Sequence, residues 1–340
     1  MNFIKKIDNV ISLSIPAFEK GLEMGLMVFH SNEQFKVIST NNYETLFESN
    51  DDLGAYHIFS KRLFVTKPSV VFEVDLEQMA LKTICTTQKN RISIHGLDYC
   101  SAITTQRNPK LKSGEIIRIS DSKIVHSWNE EKNVLTIDDH FIFFYKRDGQ
   151  LQYFDSRSGK QAWSLKLDNG SFGQRIIAQT NDVFYLQRAI SKPDTFSVLA
   201  LEKSTGNIIW ETENTHPYYC FDEASHKLYG LGDKCFEVIN ALTGEKELVA
   251  ELDVNVFISS HLTHYYDGLL YFSSHLDNSM PVFGAVNVKT GKLQFIQDIK
   301  ISKKKSFRLG LEKPIVVSDK LYLKDSLNSL HVFERQKGSR

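Results

Sequence analysis

The chain has 340 residues, of which 41% are hydrophobic and 24% are charged, so it can bury a core beneath an ordinary polar surface. Its 41 Lys and Arg residues are balanced by 41 Asp and Glu residues, which gives a formal net charge of +0 at pH 7. Non-specific nucleic-acid binding requires the neutralisation of many phosphates, so this balance argues against a nucleic-acid-binding protein.

The N-terminal segment gives no targeting signal. The lysine pair Lys5 and Lys6 is followed by Asp8 and Asn9 rather than by an unbroken apolar stretch, and no small-residue cleavage site follows. No apolar run in the sequence is long enough to span a bilayer. We therefore expect a cytoplasmic protein that does not insert into a membrane.

Residues 3–13 form a strand-like run, and paired strand-like runs follow it. The pairs are 26–29 with 35–38, 62–65 with 70–74, and a longer copy that extends from Ser101 to Trp128. Short runs of branched and aromatic residues, separated by turn residues at intervals of about 8–12 residues, are typical of antiparallel strands.

One phrase then recurs four times. It occupies residues 153–163 (YFDSRSGKQAW), 200–210 (ALEKSTGNIIW), 238–248 (VINALTGEKEL) and 285–295 (AVNVKTGKLQF). The Gly of each Thr-Gly or Ser-Gly pair supplies the positive φ of a hairpin turn. A strand pair at residues 320–323 and 330–333 ends the series.

The turns between third and fourth strands are expected near residues 41, 78, 122, 158, 205, 243, 290 and 336. Their spacing of about 36–47 residues is close to the period of propeller blades. We predict an all-β fold, a β-propeller of eight four-stranded blades that forms a single domain over residues 1–340. Residues 3–13 would supply the missing fourth strand of the last blade, which leaves no open sheet edge. Seven blades, or an open β-sandwich or two smaller β domains, are the alternatives.

Several chemically reactive residues have structural interpretations. Cys85, Cys100, Cys220 and Cys235 show no CxxC spacing and are expected as buried thiols, with a disulfide as the alternative. His261 and His264 differ by three positions, which places them on opposite faces of a strand, so we predict no metal site there. Acidic or small polar residues recur before each second strand and are predicted to form turns.

The phrase ALEKSTGNIIW resembles the repeat of the quinoprotein-like (PQQ-like) β-propellers, whose consensus is approximately Ala-Leu-Asp-x-x-Thr-Gly-Lys-x-x-Trp. Ala200, Leu201, Thr205, Gly206 and Trp210 match it in one copy. The resemblance implies that Trp163, Trp210 and also Trp128 dock one blade against the next. It favours the non-catalytic scaffold branch, because the cofactor-binding dehydrogenases usually carry an adjacent cysteine pair that this chain lacks. It also implies a bacterial origin and no cofactor.

The longest predicted loops join second to third strands at residues 106–113, 189–195 and 275–281. They share a face with the connections between blades, and binding usually concentrates in such loops. The aromatic and basic residues of this face are typical of a protein-binding surface. The predicted partner-binding residues are Arg107, Lys110, Lys112, Phe172, Lys192, His216, Tyr218, Tyr219, Asp277, Phe307 and Arg308.

We therefore expect a non-enzymatic propeller that binds another protein as a scaffold, an adaptor or an immunity-type protein. The sequence contains no GxSxG, HExxH, phosphate-loop or Rossmann motif. The alternative is an enzyme or small-ligand binder that uses polar residues of a central channel, among them Ser259, Ser260 and His261.

Overall fold

The structure is a computed structural model. It describes residues 1–11, 15–31, 34–51, 53–104, 113–129, 132–138, 141–146, 149–167, 175–189, 196–214, 219–256, 263–275, 281–299 and 310–335. The chain begins with strand β1 (Asn2–Ile7) and a short helix, α1 (Ile15–Glu23). Its contacts then divide it into two compact units, a first unit of Ile11–Asn169 and a second unit of Met1–Val10 with Gly170–Arg340.

The first unit contains four antiparallel sheets, here called blades 1 to 4. Blade 1 contains β2 (Leu26–Ser31), β3 (Gln34–Ser39) and β4 (Thr45–Ser49), and blade 2 contains β5 (Tyr56–Phe59), β6 (Arg62–Lys67), β7 (Val70–Asp75) and β8 (Ala80–Thr86). Blade 3 contains β9 (Arg91–Ile94), β10 (Tyr99–Ile103), β11 (Gly114–Arg118) and β12 (Lys123–Trp128). Blade 4 contains β13 (Lys132–Asp138), β14 (Phe141–Lys146), β15 (Gln150–Asp155) and β16 (Lys160–Lys166). Helix α1 precedes blade 1 and contacts β2 and β5.

The second unit contains blades 5 to 8. Blade 5 contains β17 (Arg175–Gln179), β18 (Val183–Ala189), β19 (Phe196–Glu202) and β20 (Ile208–Asn214), and blade 6 contains β21 (Tyr219–Asp222), β22 (Lys227–Asn240) and β23 (Lys246–Val256). Blade 7 contains β24 (Thr263–Tyr266), β25 (Leu269–His275), β26 (Pro281–Asn287) and β27 (Leu293–Asp298). Blade 8 contains β28 (Ile315–Val317), β29 (Lys320–Lys324) and β30 (Leu330–Glu334) together with β1. In blade 6, the first part of β22 pairs with β21 and its second part pairs with β23, so β22 fills both middle positions.

This architecture is an all-β, eight-bladed β-propeller, as the repeat predicted. In blades 1 to 7, the outermost strand and the strand before it are joined by a turn at the expected position, and Gly159, Gly206, Gly244 and Gly291 have positive φ values of 67° to 77°. The prediction of one domain stays a prediction.

The hydrophobic core lies between neighbouring sheets. Tyr185 and Ala200 of blade 5 are buried against Tyr219, Leu228 and Ile239 of blade 6. The opposite face of blade 6 is buried against blade 7 in the same manner. Blade 6 is therefore stabilised by apolar burial on both of its faces.

A β-bulge lies at the same place in the outermost strand of each blade, and in blade 5 it directs one side chain toward the next blade. In blade 5, Ala200 pairs with Trp210 and Leu201 pairs with Ile208, so Ile209 is the extra residue. We call the residue after the bulge the docking position. In blades 1 to 7 it is Phe47, Cys85, His126, Trp163, Trp210, Leu248 and Phe295.

Trp210 shows what the docking position does. Its indole Nε1 donates to the carbonyl oxygen of Ala241 in blade 6 at 2.9 Å. A Cβ atom added to Gly244 would lie 2.7 Å from the indole ring, so this glycine supplies both a positive φ and space for the tryptophan. The predicted docking role of Trp210 is confirmed.

Trp128 and Trp163 are also buried. Trp128 packs against Phe144 of the next blade with ring centroids 5.2 Å apart, which confirms its predicted role. Trp163 stacks on Tyr153 of its own blade at 5.2 Å. Its docking against a further blade stays a prediction.

The N-terminal strand completes blade 8, as predicted, although the strand is Asn2–Ile7 rather than residues 3–13. It pairs with β30 and repeats the fourth-strand bulge between Phe3 and Lys5. Beyond the strand, the amide of Val10 donates to the carbonyl oxygen of Asn328 at 2.8 Å, and Ser329 Oγ donates to Asp8 Oδ1 at 2.8 Å. The two ends of the chain are therefore joined within one sheet.

Asp325 organises the turn that receives this N-terminal segment. One of its carboxylate oxygens accepts the amides of Leu327 and Ser329, each at 2.9 Å, and the other lies 2.8 Å from His331 Nε2. Burial opposes ionisation of Asp325, but the His331 and backbone hydrogen bonds outweigh it, so its pKa lies below the usual value.

We expect Trp210→Ala to lower the free energy of unfolding by about 3 kcal/mol, because it leaves a cavity between blades 5 and 6 and removes a hydrogen bond. Ile209→Ala is the matched control, since the neighbouring Ile209 side chain is 50% exposed and should change stability by no more than about 0.5 kcal/mol. Urea denaturation measures both. Equal, small effects of the two substitutions would refute the docking role.

The lowered pKa of Asp325 also predicts how stability depends on pH. A carboxyl group whose pKa is lower in the folded state stabilises the fold above its unfolded pKa and loses that contribution as the pH falls through the folded pKa. We expect stability to decline below about pH 4. Asp325→Asn should be less stable at neutral pH and should show a shallower decline in acid, whereas substitution of the exposed Asp298 by Asn should leave the wild-type profile. Denaturation midpoints from pH 7 downward give the comparison, and identical acid profiles for wild type and Asp325→Asn would contradict it.

Candidate partner-binding surface

The loop between the second and third strands of a blade lies at the same end of the blade as the connection to the next blade. We call this end of the blade the loop end. Ten predicted partner-binding residues fall in these loops and connections, outside the residues that the structure describes. They are Arg107, Lys110, Lys112, Phe172, Lys192, His216, Tyr218, Asp277, Phe307 and Arg308. Their assignment to a partner-binding face stays a prediction.

Tyr219 is the eleventh residue, and its surface role needs correction. Its side chain is buried at the start of β21, and its hydroxyl donates to Glu237, whose second carboxylate oxygen lies 3.0 Å from Lys246 Nζ. A Cβ atom at Gly230 would lie 2.6 Å from the Tyr219 ring, so Gly230 leaves the space through which the ring reaches Glu237. Burial, together with the Glu237 charge, raises the pKa of Tyr219.

Sequence reasoning placed Tyr219 beside Tyr218 on one surface because both lie in an aromatic connection between blades. In the structure, Tyr219 is already the first residue of the inner strand. The alternation of a strand then turns its side chain into the sheet packing. The missed signal was Gly230, which lies directly opposite Tyr219 in the strand pairing.

A charged network fixes the loop end of blade 5. Arg188 Nη2 lies 2.5 Å from Glu211 Oε1, and Arg188 Nε donates to Ser197 Oγ at 3.0 Å. Ser197 Oγ donates in turn to Glu211 Oε1 at 2.6 Å. These three side chains belong to β18, β19 and β20, so they hold three strands together beside the 190–195 loop.

A second network fixes the connection into blade 8. The buried Lys324 side chain donates to Glu312 Oε1 at 2.6 Å, and Ser273 of blade 7 donates to the carbonyl oxygen of Glu312 at 2.7 Å. The amide of Glu312 also donates to the carbonyl oxygen of Lys324 at 2.9 Å. Residues 310–312 are thereby bound to strands of both blades.

His264 is part of the packing between blades 7 and 8. Its Nε2 donates to the carbonyl oxygen of Val316 at 3.2 Å. Burial, reinforced by the Lys313 charge, lowers its pKa to about 3, so the imidazole is neutral at physiological pH. Within the described ranges, no group of three or more His, Cys, Asp or Glu side chains could hold a metal ion.

Ser259, Ser260 and His261, on which the central-channel alternative depends, lie outside the described residues. That alternative stays a prediction.

The recurrent polar positions before second strands form turns. Asp267 has a positive φ of 49° and is followed by Gly268 and β25, and His226 has a positive φ of 52° and is followed directly by β22. The geometry of these two residues is that of turn residues.

Exposed apolar side chains on the outer parts of blades 5 and 6 were not predicted. Ile208 and Ile209 on β20 are 42% and 50% exposed, Leu242 in the turn before β23 is 59% exposed, and Val249 on β23 is 61% exposed. They belong to fourth strands or to the turn that precedes one. The signal in the sequence was the apolar pair Ile208 and Ile209 immediately before Trp210. Of these three residues, Trp210 is the one that docks against blade 6.

No helix of the described residues is both long and apolar enough to cross a membrane. No curated protein matches the chain. A family model described as the outer membrane protein assembly factor BamB, of the PQQ-like repeat type, matches residues 115–220.

Among solved structures, BamB from Moraxella catarrhalis is similar with a TM-score of 0.59 at 14% identity, covering 98% of this chain and 99% of that one. The C-terminal WD40 domain of Sif2 is similar with a TM-score of 0.67 at 10% identity, and Sqt1 from Saccharomyces cerevisiae with 0.62 at 9%; each match covers 98% of both chains. At these identities the structural likeness concerns the fold. The family-model match adds that residues 115–220 are similar to the PQQ-like repeat.

Proposed function

We propose that this chain is a protein-binding scaffold that contacts its partner through the loop ends of its blades. The family model that matches residues 115–220 is described as an outer membrane protein assembly factor. The proposal transfers only the general activity, protein binding, to this chain.

The observation that carries the proposal is the internal pairing of charges beneath the loops of the second unit. Arg188 is bound to Ser197 and Glu211, and Lys324 is bound to Glu312. These ion pairs hold the strand ends in fixed positions before any partner arrives. Binding then costs less conformational entropy than it would for a mobile framework.

The loop sequences that this framework carries are suited to a protein surface. In the second unit they contribute aromatic residues and an arginine, residue types that are enriched in protein interfaces. The residues that we propose to contact the partner are Phe172, Lys192, His216, Tyr218, Asp277, Phe307 and Arg308. In the first unit, Arg107, Lys110 and Lys112 are proposed to have the same role.

Site-specific photo-crosslinking in the native host tests this assignment. A photoreactive phenylalanine analogue at Tyr218 or Phe307 should form a covalent adduct with a discrete protein. The same analogue at the exposed positions Leu242 and Val249, on the outer parts of blade 6, is the control and should not. Adducts from Leu242 and Val249 alone would place the interface elsewhere, and the absence of adducts from all four positions would contradict protein binding.

Tyr218 and Tyr219 are adjacent, but we expect a substitution at Tyr218 to affect partner binding and a substitution at Tyr219 to affect stability. Tyr219→Phe removes the hydroxyl that donates to buried Glu237, and we expect a loss of about 1–2 kcal/mol in the free energy of unfolding without loss of the adduct formed from Phe307. Tyr218→Ala should reduce that adduct without lowering the melting temperature. The reverse pattern would show that Tyr219 rather than Tyr218 contacts the partner.

A further inference from the structure

The docking position of blade 2 is occupied by a cysteine. Val71 pairs with Cys85 and Phe72 pairs with Thr83, so Cys85 follows the same bulge that presents Trp210 in blade 5. Blades 1 and 7 have Phe47 and Phe295 at this position. A thiol therefore stands where other blades place a large ring.

The neighbouring blade places a second thiol against it. Cys100, on β10 of blade 3, has its Sγ atom 3.7 Å from Cys85 Sγ. Both side chains are buried, at 2% and 0% exposure, in a cluster that includes Phe64, Ile92 and Ile117. Both belong to the first unit, so this contact lies between two blades of one compact body.

We propose that Cys85 and Cys100 are a redox-active pair that forms a reversible disulfide between blades 2 and 3. The two sulfur atoms need to approach by less than about 2 Å to reach bonding distance, a movement within reach of side-chain rotation. The bond joins the outer strand of one blade to the second strand of the next, at the contact on which blade docking depends.

The environments of the two thiols assign them different roles. The hydrogen bond with Cys100, against the opposing effect of burial and with help from Ser122, lowers the pKa of Cys85 to about 7. The same contact and burial raise the pKa of Cys100. The thiolate is the nucleophilic form of cysteine, so Cys85 is the residue that attacks the oxidant and Cys100 is the resolving thiol.

The oxidant class is a small peroxide, because the buried position of both sulfurs excludes bulky disulfides. The Cys85 thiolate attacks one peroxide oxygen and becomes a sulfenic acid, while hydroxide leaves and takes up the proton that Cys85 released to form water. Cys100 then attacks the Cys85 sulfur, and its proton leaves with the sulfenic hydroxyl as a second water. Two thiols lose two electrons and two protons, and one hydrogen peroxide is reduced to two waters.

A disulfide at this place restricts the unfolded chain, because it closes the segment between residues 85 and 100. A loop of this length stabilises a protein enough to raise the melting temperature by about 5 °C. Packing of two small apolar side chains would account for their burial without any chemistry. Treatment with hydrogen peroxide distinguishes a redox-active pair from two packed thiols.

The test uses the full chain with Cys220→Ala and Cys235→Ala, which leaves Cys85 and Cys100 as its two cysteines. After treatment with stoichiometric hydrogen peroxide, the intact mass should fall by two hydrogen atoms, and alkylation under denaturing conditions should find no thiol. Dithiothreitol should restore both thiols. The oxidised form should melt about 5 °C above the reduced form. If the alanine variant does not fold, peptide mapping of the oxidised wild type should recover Cys85 linked to Cys100.

Cys85→Val and Cys100→Val in the wild-type background are the controls, since valine preserves an apolar side chain of similar size. Neither should lose mass in peroxide or gain thermal stability from it. The proposal is overturned if Cys85 and Cys100 remain alkylatable, if they gain one or two oxygen atoms instead of losing hydrogen, or if peptide mapping joins another pair of cysteines.

Discussion

The contact between the fourth strand of one blade and the body of the next is the constraint on which this fold depends. A single extra residue in each fourth strand shifts the register by one position, and the residue after it turns toward the neighbouring blade. Without the bulge, strand alternation would direct a different side chain to that face. Within each of the two units, the bulge therefore couples neighbouring sheets through a contact of the same geometry, even where the residue itself changes.

Two glycines of the repeated phrase, Gly244 and Gly291, are the receiving half of this contact. Gly244 accommodates the Trp210 ring of blade 5, and a Cβ atom at Gly291 would lie 2.4 Å from the Ala250 side chain of blade 6. One residue type thus satisfies two requirements, the positive φ of the hairpin and the close approach of the preceding blade. This double requirement applies at Gly244 and Gly291, whereas at Gly159 only the positive φ calls for glycine, since an added Cβ atom there would meet nothing within 4 Å.

The sequence was sufficient for features that repeat and insufficient for features that occur once. The turns, the blade number and the closing strand followed from the period, since each repeat carries the same turn chemistry. Helix α1 and the fused strand β22 have no counterpart in other blades, so no comparison between copies revealed them. Tyr219 was placed on the surface because one residue of register decides whether a side chain faces solvent or the sheet.

The proximity of Cys85 and Cys100 could not be read from their spacing either, because it depends on two blades meeting at the docking position. Once the bulge register is known, the position of Cys85 becomes equivalent to that of Trp210, and its contact with the second strand of the next blade follows. The replacement of the usual large side chain by Cys85 at the docking position therefore says more about the role of this residue than its burial does. The same reasoning separates the paired charges beneath the loops from catalytic groups: Arg188, Glu211, Lys324 and Glu312 have their hydrogen-bonding partners within the fold, and their arrangement serves to hold the loop ends in place.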